Sequence, residues 1–170
     1  IGPNVAHALY LVNLASPNPE LRQRSIESLV NQLYWCDELG LAGLVVHVGS
    51  RVGVASYDEA IDRAVEGLGE VLRPGGDTRL LIENTAGMGT SIGSSFAEIG
   101  KLIAQLDGDE RLGVCIDTAH TFEAGYDYTT PKGMDRLVDE IEREVGLDRV
   151  VAVHANDSKT PLGSNVDRHE

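Results

Sequence analysis

Short, almost wholly apolar runs recur along this chain with a stretch of helical periodicity between each pair, and that alternation constrains the fold more than any single motif. Five runs read as buried strands: Leu9–Leu14, Gly43–Val48, Arg79–Glu83, Leu112–Asp117 and Val150–His154. Continuous apolar strands belong to parallel sheets, whose crossover helices cover them. The intervening patterns carry helix start and stop signals. One runs over Pro19–Leu39, with Ile26, Leu29, Val30 and Leu33 on one face and Gly40 as its stop. The next opens with the capping box Ser56-Tyr-Asp-Glu59 and stops at Pro74-Gly-Gly; a third opens with Ser95-Phe-Ala-Glu98 and continues through Leu106. A fourth has Thr130 as N-cap and Pro131 at its first position, and ends at Gly146. Repeated βα units make either an open doubly wound sheet or a closed (β/α)8 barrel. Five strands do not close an eight-stranded barrel. The barrel reading therefore expects an incomplete TIM barrel lacking elements at both ends, with residues 1–170 as a single partial domain.

The formal charge of −13 argues against a generally basic nucleic-acid binder. It does not exclude DNA, because divalent ions on clustered carboxylates and imidazoles reverse the local sign. No apolar run is long enough to cross a bilayer, so no membrane association is expected. Ile1–Asn4 lead straight into a strand-like run, without the pattern of a secretory leader. Cys36 lies in a helical pattern and Cys115 in an apolar strand, which reads as two reduced core thiols and a cytoplasmic location.

The histidines carry the functional signal. There are five: His7, His47, His120, His154 and His169. His47 and His154 fall at or near the carboxyl ends of predicted strands, Glu83 and Asp117 end two more, and His120 lies three residues past Asp117. Glu83 follows His47 by 36 positions, Asp117 follows Glu83 by 34, and His154 follows His120 by 34. One ligand-type side chain thus returns to the same rim once per βα unit, and in barrels catalytic groups converge on that rim. Imidazole and carboxylate without thiolate suit Zn²⁺, Mn²⁺ or Fe²⁺. For Asp167 and His169, beyond the last strand, spacing alone leaves a metal site and a solvated polar loop equally open.

At these residues the chain resembles endonuclease IV. The matching stretches are His7-Ala-Leu-Tyr10-Leu-Val-Asn13-Leu, His47-Val-Gly-Ser50, Ile82-Glu83-Asn84-Thr85-Ala-Gly87, Gly113-Val-Cys-Ile-Asp117-Thr-Ala-His120, His154-Ala-Asn156-Asp157-Ser-Lys159 and Gly163-Ser164-Asn-Val-Asp167-Arg168-His169-Glu170. The resemblance implies a TIM barrel with three metal ions, expected as Zn²⁺ with Mn²⁺ or Fe²⁺ as alternatives. His7, His47 and Glu83 would hold the first; Glu83 would bridge to a second, bound also by Asp117 and His154; His120, Asp167 and His169 would hold the third. In the family a further glutamate from the last barrel strand joins the second metal, and the segments matching that strand and the first two are absent here. The activity implied is hydrolysis of duplex DNA 5′ to an abasic site by in-line attack on phosphorus, with Glu83 as the catalytic carboxylate and the complete protein a monomer. Tyr10 and Leu11 match residues that enter the minor groove beside the flipped-out sugar, and Arg168 would contact the DNA backbone; packing of an apolar strand and ordinary surface charge explain the same residues. Two other readings compete. One is a sugar isomerase or epimerase of the related barrel superfamily, with one metal held by two glutamates, an aspartate and a histidine. The other is a noncatalytic DNA-binding remnant.

Overall fold

The computed structural model describes residues 3–170. Five strands, β1 (Val5–His7), β2 (Gly43–Val46), β3 (Arg79–Glu83), β4 (Leu112–Asp117) and β5 (Val150–His154), form one parallel sheet in the order β1-β2-β3-β4-β5. The helices are α1 (Pro19–Glu38), α2 (Tyr57–Leu72), α3 (Phe96–Ala104), α4 (Thr118–Glu123) and α5 (Pro131–Glu144), with a 3₁₀ turn at Leu147–Arg149. Spatial order follows chain order without reversal, so among the described residues there is no switch point of the doubly wound kind. Right-handed crossovers then place the connecting helices on one side of the sheet. This is an arc of a (β/α) barrel, a half barrel.

The two faces of the sheet are packed differently, as alternation along each strand requires. On the outer face Leu44, Val46, Leu80, Ile82, Leu112 and Val114 join the helix residues Ile26, Leu29, Ile61, Leu68, Ile99, Leu102 and Ile141 in the main core. On the inner face Val45, Leu81 and Cys115 form a separate small cluster with Val151 and Ala152. Leu81 occupies that face because its neighbours are glycines. A Cβ on Gly43 or Gly113 would stand 2.6 or 2.7 Å from its side chain.

The helix signals hold. Asn18, Ser56, Ser95 and Thr130 each cap a helix through a side-chain oxygen, Pro131 sits in the first turn of α5, and Gly40 and Gly146 follow helices with φ of 63° and 90°. Neither capping box closes reciprocally: Glu59 turns to Arg63 at 3.0 Å, and Glu98 accepts from the Ser94 amide at 3.1 Å. The third helix ends at Ala104, short of the expected Leu106, as Gly108 (φ 66°) turns the chain and donates to the Ile103 carbonyl.

The first strand differs from expectation. It is Val5–His7, whereas Leu9–Leu14 forms the loop that follows. Ala8 still donates to the Val45 carbonyl at 2.8 Å, after which the chain leaves the sheet with Leu9, Tyr10 and Leu11 exposed. The apolar run misled because Leu9, Tyr10 and Leu11 face outward while Val12 and Leu14 enter the core from a loop, and the strand itself has only three residues and a half-exposed Val5. Similarly β2 stops at Val46, and Val48 accepts from the Leu14 amide, outside the ladder. The short α4 was not foreseen. Asp117, the last residue of β4, starts it by accepting from the His120 amide at 2.9 Å.

Candidate metal centre

Strand parity brings the polar groups together. His7, Glu83, Asp117 and His154 end their strands and His47 follows β2 by one residue, each two positions after an inner-face residue: Val5, Val45, Leu81, Cys115 and Ala152. They meet at the carboxyl rim of the arc. His120 joins them from α4, which begins where β4 stops, and Asp167 and His169 come from the loop after β5.

Glu83 is the centre. It is 2 % exposed, yet four histidine rings surround its carboxylate. Its Oε2 lies 2.9 Å from His7 Nε2 and 3.1 Å from His47 Nε2; its Oε1 lies 2.7 Å from His154 Nδ1 and 3.8 Å from His120 Nδ1. Burial alone would raise its pKa, but the His7 and His154 hydrogen bonds and the nearby His47 outweigh it and hold the carboxyl at about 2. The hydrogen bond to Glu83 pushes His7 up, while burial pushes His47 down. A second knot lies alongside. His120 Nε2, His169 Nε2 and Asp167 stand 3.2, 3.3 and 3.4 Å from one another. Between the two sits Asp117, whose Oδ2 is 3.8 Å from His154 and 3.9 Å from His169.

These donor sets fit divalent cations. Ligand atoms about 2.0–2.1 Å from a tetrahedral Zn²⁺ lie about 3.4 Å apart, and the second knot has that spacing already. Ring orientation agrees. His7 Nδ1 faces the Ala8 carbonyl at 2.8 Å and His120 Nδ1 the Asn84 carbonyl at 2.9 Å, so each can donate backward and turn Nε2 toward an ion. Three groupings of the expected residues come within ligand distance of one another: His7–His47–Glu83, Glu83–His154 and Asp117–His120–His169. Cys115 adjoins Glu83 and His154, but burial and the Glu83 charge push its thiol up to about 12, which disfavours a thiolate ligand.

Tyr10 and Leu11 lie 76 % and 91 % exposed on the loop after β1, where they line a groove of about 620 Å³ with His47, Met88, His120 and Asp167. An outward position beside the cluster is not that of packing residues. Gly89 (φ 62°) lines the same groove, and Gly87 (φ 79°) lies two residues before it. Arg168 is exposed, its amide turned inward to Glu123. Three residues important to the arrangement were not singled out by sequence reasoning. Buried Asn84 ties β3 to β4 by accepting from the Asp117 amide at 2.7 Å and donating to the Asp117 carbonyl at 3.2 Å. Asn156 donates to Asp117 Oδ2 at 2.6 Å, and Glu123 is buried beside His120 and Asp167. The sequence signal for Glu123 was present, an acid three residues after His120, but only a helix there gives that spacing meaning.

Comparison with known proteins agrees with the fold. The profile of the xylose isomerase-like TIM barrel family matches residues 3–170. Proteins named probable endonuclease 4 from Chloroflexus aurantiacus and Carboxydothermus hydrogenoformans are 42 % and 44 % identical over 99 % of the chain, which covers 60 % and 59 % of their lengths. The crystal structure of endonuclease IV from Thermus thermophilus superposes with a TM-score of 0.82 at 40 % identity, over 99 % of this chain and 58 % of that one. The chain therefore spans about 60 % of the curated relatives it matches. A D-tagatose 3-epimerase-like protein, 21 % identical with a TM-score of 0.76, shares the fold. On the family profile, the curated relatives and the superposition together, the chain belongs to the endonuclease IV family of xylose isomerase-like TIM barrels.

Proposed function

We propose that the full-length protein bearing this chain is a DNA-repair endonuclease that hydrolyses the phosphodiester 5′ to abasic sites, using three divalent ions, Zn²⁺ by preference. One observation carries the reading: eight ligand-type side chains from five strand ends, α4 and one loop form a continuous cluster with Glu83 between its members. His7, His47 and Glu83 would hold one ion; Glu83, Asp117 and His154 a second; His120, Asp167 and His169 a third. Bound there, divalent ions acidify water and neutralise charge developing on phosphate oxygens. Glu83 stays ionised to share its two oxygens between neighbouring sites. Asn156 fixes the Asp117 carboxylate and Asn84 the Asp117 backbone, and the Ala8 and Asn84 carbonyls fix the His7 and His120 rings.

Tyr10 and Leu11 would enter the minor groove, and Arg168 would meet backbone phosphate. Extrusion of a nucleotide costs least where the base is missing, which favours abasic sites. The cations also offset the −13 charge where DNA approaches. A cytoplasmic monomer is the matching biological form. The test is single-turnover nicking by the full-length protein of a duplex with one abasic site against an intact duplex. Selective, chelator-sensitive nicking on the 5′ side is expected; metal-loaded protein that leaves the abasic duplex intact would refute the reading.

A further inference from the structure

One carboxylate outside the eight ligand-type residues has no role so far. Glu123 ends α4 one turn after His120 and is 0 % exposed. Its Oε1 accepts from Ser158 Oγ at 2.6 Å, the Arg168 amide at 3.1 Å and Thr160 Oγ1 at 3.3 Å. All three donors belong to the segment that carries Asp167 and His169. That segment is closed on itself by the Ser158–His169 bridge and by Lys159 donating to the Arg168 carbonyl at 2.8 Å. It also rests on the end of α4, where the Phe122 and Glu123 carbonyls accept from the Gly163 and Asn165 amides. Glu123 is thus the point at which the helix bearing one proposed ligand grips the loop bearing two others.

The other oxygen, Oε2, is buried with no hydrogen-bond partner, and among the described residues no basic side chain pairs with Glu123. A buried carboxylate needs a partner of opposite charge or a complete set of hydrogen bonds. A proton on Oε2 would have no acceptor. Yet a carboxylate oxygen of Glu123 lies within 4.8 Å of ligand-type atoms of His120 and Asp167.

We propose that Glu123 is a positioning residue of the His120–Asp167–His169 metal site: Oε1 holds the ligand-bearing loop against α4, and the buried negative charge strengthens cation binding there. The inference rests on the preceding assignment of a metal to those three residues. Its two parts separate chemically. Glu123→Gln keeps an oxygen acceptor for Ser158, Thr160 and Arg168 but removes the charge. A purely structural role would register as loosening of the loop, which hydrogen exchange of the metal-free protein reads separately from metal affinity.

The experiment measures Zn²⁺ stoichiometry and affinity against a competing chelator for the full-length wild type, Glu123→Gln and His120→Ala. Wild type should bind one ion that His120→Ala loses. In Glu123→Gln the affinity of that ion should fall about 10–100-fold while the other sites are unchanged. Hydrogen exchange of residues 158–169 in the metal-free protein should stay at the wild-type rate. Wild-type affinity in Glu123→Gln would overturn the role of the charge and leave the metal assignment standing. Absence of any His120-dependent ion in the wild type would overturn the assignment itself, and this inference with it. If Glu123→Gln does not fold, Glu123→Asp against Glu123→Asn makes the same comparison at constant length, and equal affinities in that pair would overturn the proposal.

Discussion

His7, His120 and Asp117 are poised by neighbours that were not themselves candidates, whereas Glu83 is held by candidate histidines alone, and single substitutions should expose the difference. Glu83 faces His7 and His47 through one oxygen and His154 through the other, so Glu83→Gln should deplete two ions and not one. Metal analysis of the full-length protein should fall from about three equivalents to about one, the His120 site surviving; loss of one equivalent alone would mean that Glu83 does not bridge. Gly49 shows a different dependence. Its φ is 120°, and a Cβ there would stand 2.2 Å from Asn13 Oδ1, the atom that accepts from the Ser50 and Ala15 amides. Gly49→Ala should therefore cost about 1–3 kcal/mol in denaturant unfolding, through strain and displacement of Asn13. An unchanged midpoint would show that the loop yields freely.

At the scale of elements, one polar clasp holds the bottom of the arc. Asp37, in the last turn of α1, accepts from the Thr78 amide at 2.7 Å and the Asp77 amide at 3.0 Å, just before β3. Partial burial pushes its pKa up, but the hydrogen bonds from Thr78 and Asp77 and the Arg111 charge prevail and hold it below the ordinary 3.8. Asp37→Ala should cost about 1.5–3 kcal/mol at neutral pH, as loss of hydrogen bonds to a charged group does. Because the folded pKa is depressed, the difference from wild type is complete above the unfolded value of 3.8 and vanishes as pH falls through the folded one. Urea unfolding at several pH values measures it; a difference that persists at the acid end would assign the loss to packing. Much of the element order was legible because helix caps and breakers are local chemistry: Ser56, Ser95 and Thr130 act within a few residues of themselves. The first strand was not, since Val5–His7 owes its ladder to β2 and not to its own composition. The rim was legible because strand parity and the βα repeat return His47, Glu83, Asp117 and His154 to one end. Glu123 and Asn156 were hidden because their roles depend on α4 and on a loop fold that no short-range pattern specifies.

Across the whole molecule, the sheet ends in two strands, β1 and β5, each paired on one side only among the described residues. Open edges invite pairing with another chain. Residues 1–170 expressed alone should therefore sediment as self-associated species and nick abasic DNA far more slowly than the full-length protein in single-turnover comparison. Comparable rates from a monomeric 1–170 piece would show that further strands are dispensable. The arc nonetheless contains the whole set of eight proposed ligands, and its central claim concerns where ions lie. The direct measurement is anomalous diffraction at the zinc edge from crystals of the full-length protein. Three peaks are predicted: one among His7, His47 and Glu83, one among Glu83, Asp117 and His154, and one among His120, Asp167 and His169. A single peak at Glu83, Asp117 and His154, with nothing at His120, would contradict the three-ion centre and favour the one-metal chemistry of sugar isomerases.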